Sequence, residues 1–178
     1  MIYFFRAISN ESDEFLFDIA INSEAKFVDL HHFIQQQLNF DPAQMTSFFL
    51  TDEDWQKEKE ITLIDMMVDD DSSAVMDQVR LEEFLNAPKQ RLLYAFDLFA
   101  ERVLFMELTD ITEGSVKETT CVRMEGTPPP QFSEEGFSFD DALLSDGFDE
   151  EGADDFLSYG DDLPDDYADE GSDMNDFY

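Results

Sequence analysis

The chain has 178 residues, 43% hydrophobic and 14% aromatic, which suffices for one core of ordinary domain size plus an appendage. Its 44 acidic residues against 10 basic ones give a formal net charge of -34, a field that repels phosphate backbones and anionic membranes and argues against direct nucleic-acid or lipid binding. The partners it favours are cationic protein surfaces, including proteins that themselves hold nucleic acid.

In chain order, Ile2 to Ile8 and Phe15 to Ile21 are short apolar runs, the second alternating strictly, and Ser9 to Asp13 between them has turn chemistry, so a β-hairpin is expected. The start is too short for a secretory apolar region and meets Glu11, Asp13 and Glu14 at once; with no membrane-spanning run either, the cytoplasm is the expected compartment. Ser23 is placed to cap a helix whose apolar residues Phe27, Leu30, Ile34 and Leu38 form a stripe facing the hairpin, and Asp41-Pro42 ends that segment. Met45 to Leu50 reads as a strand and Thr51 to Glu60 as a charged excursion holding Trp55. Ile61 to Val68 fits strand or helix, Asp69 to Ser73 is loop, and Val79 to Leu85 is a short helix. Arg91 to Phe99 and Arg102 to Ile111, rich in Leu, Phe, Tyr and Val, read as a central strand pair.

After Gly114 the pattern weakens, and Gly126-Thr127-Pro128-Pro129-Pro130 reads as a stiff hinge of extended polyproline character. Two regions follow: residues 1–127 as the domain, and residues 128–178 as a hinge and acidic-aromatic tail. The tail holds 18 Asp or Glu, nine Phe or Tyr and no Lys or Arg, whereas residues 1–127 hold 26 acids and all 10 bases. Repulsion among unpaired acids opposes collapse, so the tail is expected to be disordered in isolation.

Several ordered blocks carry a family likeness. Leu30-His31-His32-Phe33-Ile34-Gln35 and Phe40-Asp41-Pro42-Ala43-Gln44-Met45-Thr46-Ser47-Phe48 come first. Val79 to Leu85 with Leu92 to Asp97, and Cys121 to Pro130, follow. Together they resemble the plasmid pRiA4b ORF-like family over residues 1–130, proteins that accompany plasmids and insertion elements and also occur free-standing. The resemblance implies an α+β domain and no established activity. Where family members commonly carry Gly-Asp-x-Trp-x-His, this chain has Phe99-Ala100-Glu101-Arg102-Val103-Leu104, so no role resting on that stretch transfers. The tail lies outside the resemblance and is read on its own residues.

No constellation of residues identifies a reaction. His31 and His32, the only histidines, point about 100° apart on a helix and cannot readily share a metal; packed or solvated helix positions are the commoner role. Cys121 is the only cysteine, which excludes an internal disulfide, and without an obvious base it reads as an inert packed thiol. The acid runs Asp52 to Asp54 and Asp69 to Asp71 lack calcium-loop spacing, and phosphate-cradling glycines are absent. Trp55 suits a partner anchor and equally an indole folded back onto the domain.

The tail carries the sharper signal. Phe137, Phe139, Phe148, Phe156, Tyr159, Tyr167, Phe177 and Tyr178, spaced by acids, can enter apolar notches on a basic surface while the carboxylates pair with Lys and Arg around them. The expectation is an α+β domain with a mixed β-sheet and one main helix, a β-grasp-like order being one arrangement. The protein is expected to be a non-enzymatic, cofactor-free interaction module whose tail, with Trp55, binds a basic protein, in the sharpest version as a nucleic-acid mimic. The rival expectation is an enzyme or small-ligand-binding domain with the tail as modulator or solubility appendage.

Overall fold

The computed structural model of the protein describes residues 1–65 and 73–132. The chain divides into two units, Met1–Glu134 and Glu135–Tyr178, and every described residue lies in the first. Among these residues eight strands form one sheet: β1 (Ile2–Ser9), β2 (Leu16–Asn22), β3 (Ser47–Thr51), β4 (Lys57–Thr62), β5 (Ser73–Val75), β6 (Arg91–Asp97), β7 (Arg102–Thr112) and β8 (Thr120–Glu125). Their order is β5-β4-β3-β6-β7-β1-β2-β8, antiparallel throughout except between β4 and β5. The helices are α1 (Phe27–Leu38) and the single turn α2 (Leu81–Phe84). The fold is therefore α+β on a mixed sheet, with the β6–β7 hairpin at its centre.

Period-two alternation decides which side chains meet α1. Tyr3, Phe5 and Ala7 of β1 point inward and are buried, whereas Arg6 and Ile8 point outward. Across the inner face, Ile61, Phe48, Tyr94 and Leu104 stand in register on β4, β3, β6 and β7. The α1 stripe Phe27, Leu30, Ile34 and Leu38 closes over this face. Phe27 packs edge-on to Phe48 at 5.5 Å between ring centres, and Phe17 stacks on Phe33 at 6.1 Å.

Three local features differ from the sequence expectation. The α1 N-cap is Lys26, whose backbone N–H donates to the Asp29 carboxylate at 2.8 Å, and not Ser23. Ser23 is buried and its hydroxyl donates to Glu82 at 3.0 Å, tying the start of α1 to α2. Lys57 to Thr62 is strand rather than excursion: the Lys57 ammonium lies over the Phe49 ring at 4.3 Å and that of Lys59 over Phe84 at 5.5 Å, so both lysines make cation–π contacts with the domain. Thr120 to Glu125 is also a strand, with Cys121 and Met124 packed against the core and a register shift beside them at Asp18/Ile19 that breaks the two-residue pattern.

Candidate functional site

The described part of the domain ends in a strap, residues 128–132, laid against the end of α1. Its position begins at Gly126, whose φ of 72° and close approach to Glu14 leave no room for a side chain: an added Cβ would lie 2.4 Å from the Glu14 carbonyl oxygen. The Ser12 hydroxyl then donates to the Thr127 carbonyl at 2.8 Å. Three prolines follow, stiff and without N–H groups of their own to satisfy.

Arg102 and Gln131 hold the strap down. The Arg102 guanidinium donates to Glu11 (Nη2 to Oε2, 2.6 Å), to the Gln131 carbonyl at 2.8 Å and to the Pro130 carbonyl at 2.5 Å, and it lies over the Phe96 ring at 5.0 Å. Hydrogen bonding to Glu11 raises the Arg102 pKa against the opposing effect of burial, so the group stays charged. The buried Gln131 amide pairs with the backbone of Asp41 at both ends, accepting from its N–H and donating to its carbonyl at 3.2 Å.

On the other side, Asn39 ends α1 at φ 56°, which turns Phe40 inward onto Phe96 at 5.2 Å between ring centres. Between strap and helix end runs a groove of about 560 Å³. Residues 38–42 line it from the helix end and residues 128–132 from the strap, so Leu38, Phe40 and four prolines share the lining with Asn39, Asp41 and Gln131. Phe132 is 54% exposed, and no lining residue is Lys or Arg.

The histidines separate as helix geometry requires. His31 is buried, its Nδ1 3.0 Å from the Tyr94 hydroxyl and 3.2 Å from that of Thr46, whereas His32 is exposed. Burial, reinforced by the neighbouring His32, lowers the His31 pKa to about 4 and keeps its ring neutral. Burial also pushes the Tyr94 hydroxyl up, so it remains protonated. This is a polar knot inside the core. Cys121 is half-buried on β8.

Trp55 folds back onto the sheet. It sits at φ 64° in a turn where the Asp52 carboxylate accepts from the N–H groups of Asp54 (2.9 Å) and Gln56 (2.8 Å). Its ring meets Phe105 edge-on at 5.0 Å with the Arg91 guanidinium 5.0 Å above it. Asp69 to Asp71 and the tail aromatics Phe137, Phe139, Phe148, Phe156, Tyr159, Tyr167, Phe177 and Tyr178 lie outside the described residues. Among the described residues no group of three or more His, Cys, Asp or Glu is placed to hold a metal, and no helix is long and apolar enough to cross a membrane. Sequence reasoning missed Arg102, Gln131 and Asp41 as a set, because their contacts span 28 to 91 positions; the one local hint was a glutamine directly after three prolines.

A mixed eight-stranded sheet with its main helix on one face defines an α+β domain, and the same architecture occurs in a protein of unknown function from Methanosarcina mazei Go1. That crystal structure superposes with a TM-score of 0.57 at 15% identity, covering 80% of this chain and 88% of the other. Residues 7–161 match the family model of plasmid pRiA4b ORF-3-like proteins, so the chain belongs to that family. The match runs past Pro130 into the acidic segment, further than the blocks quoted from the sequence. No curated protein matches the chain.

Proposed function

We propose that the protein is a non-enzymatic interaction module that captures a basic protein through its acidic, aromatic-studded C-terminal segment. One observation carries this reading: residues 128–178 combine 18 acids and nine Phe or Tyr with no base. Charge of one sign brings a cationic partner in from a distance, and rings spaced among the carboxylates supply contacts that a purely solvating tail would not need. In its most pointed form the segment occupies a surface that otherwise holds nucleic acid. The strap supports the reading by fixing the segment's origin on the domain through Arg102 and Gln131. The cytoplasm is the compartment this reading assumes.

The test is capture of partners from the native host by the full chain and by two full-length variants. One has the acids of residues 133–178 changed to amides; the other has the aromatics of the same stretch changed to serine. Both should lose a shared cationic partner, and about 0.5 M salt should release it from the parent chain. Capture that survives both variants and that salt would sink the proposal.

A further inference from the structure

We infer that the groove between the end of α1 and the 128–132 strap receives an apolar side chain from a lysine- or arginine-rich segment of the partner protein; this rests on the reading that the partner is basic. The volume of about 560 Å³ lies within the range of sites that bury a ligand group, about 300–1,000 Å³. Its apolar lining is Pro42, the strap prolines and the half-exposed Phe132, with the almost fully buried Leu38 and Phe40 beneath, surface suited to a leucine, methionine or aromatic side chain.

The groove is also held open in advance. Proline has little conformational freedom to lose, Gln131 locks to the Asp41 backbone, and Arg102 grips two consecutive strap carbonyls. Binding therefore does not have to order the site first, which is the usual route by which a rigid cleft gains affinity.

Charge selects the occupant. Exposed Asp41 lines the groove, no Lys or Arg does, and the chain as a whole carries a formal charge of -34. An acidic peptide or an anionic lipid meets repulsion there. A cationic segment is attracted, and a lysine stem can lie along the prolines while its ammonium group reaches the Asp41 carboxylate.

The test uses the full chain and two synthetic probes, a short lysine-rich peptide bearing leucines and its counterpart with serine in place of leucine, titrated by calorimetry and by backbone NMR at low salt. The leucine peptide is expected to bind about tenfold more tightly, the scale of one well-buried anchor, and to shift resonances at Leu38, Phe40 and Phe132. Phe132→Ser should abolish that advantage. Pro42→Ser repeats the test at the helix end of the groove, and Phe99→Ser, at a ring 93% exposed outside the groove, should leave it intact. Equal binding of the two peptides, or an advantage that survives both groove variants, would overturn the groove and leave the charge-led proposal standing. Failure of both peptides to bind at low salt would overturn the two together.

Discussion

On the face toward α1, the cross-strand row Ile61, Phe48, Tyr94 and Leu104 is fully buried. On the opposite face of the same sheet, Arg91, Glu107, Arg6, Asp18 and Arg123 stand in register across β6, β7, β1, β2 and β8 and are exposed or half-buried. The first row gains from removing area from water; the second alternates in sign, so each charge has an opposite neighbour and none needs burial. A chain with so much negative charge thus keeps bases on its outer sheet face in positions where acids already flank them. The lesson is that inner-face changes should act through packing and outer-face changes through a weak, salt-sensitive field.

The largest effect should come from the buried row. Phe48 contacts Phe27 at 5.5 Å and Tyr94 at 4.9 Å between ring centres. Phe48→Ala should cost about 3–5 kcal/mol in denaturant unfolding, because a ring-sized void opens where neighbours on two layers cannot close in. A loss below about 1 kcal/mol would mean that the two layers are not tightly packed.

Next comes the polar knot within that face. His31 titrates at about 4 in the folded chain against an ordinary 6.5, so between these values the unfolded chain binds the extra proton. Stability should therefore fall as pH drops below about 6.5 and level off below about 4, a loss of about 3 kcal/mol from this group. His31→Phe should flatten the stability curve over that window relative to the parent, a difference in which the shared carboxylate titrations cancel. Parallel curves would place His31 in contact with water.

The smallest effect belongs to the outer face. The Arg6 guanidinium pairs with both Asp18 carboxylate oxygens at 2.8 Å, yet its side chain is 46% exposed. Arg6→Ala should cost under about 1 kcal/mol, shrinking further in about 1 M salt. A larger, salt-independent loss would show that the ladder acts through packing and would erase the contrast between the faces.

The elements legible in the sequence were those marked by an apolar run or a recurring period: β1, β2, α1, β3, the short helix α2, and the β6–β7 pair. β4 was hidden because Lys57-Glu58-Lys59-Glu60 alternates charge with charge: its buried apolar residue is Ile61 at the far end, and its two lysines place their ammonium groups over Phe49 and Phe84. β8 was hidden by the register shift beside Cys121. Trp55 could not be assigned from sequence because its position depends on a left-handed backbone set by Asp52, and the strap's contacts link residues 11, 41, 102 and 131, which no local pattern relates. The acidic character of the tail, by contrast, needed no structure to read.

The sheet order bears on how the chain is made. The first hairpin lies between β7 and β8, with Ile2 opposite Thr112 and Leu16 opposite Glu125. During synthesis both long edges of that hairpin stay open until about one hundred further residues have been added, a topology of high contact order that folds late and leaves unpaired strand edges exposed in the meantime. Nascent chains stalled before residue 102 should therefore be the aggregation-prone species, and release of β7 and β8 from the ribosome the step that closes them.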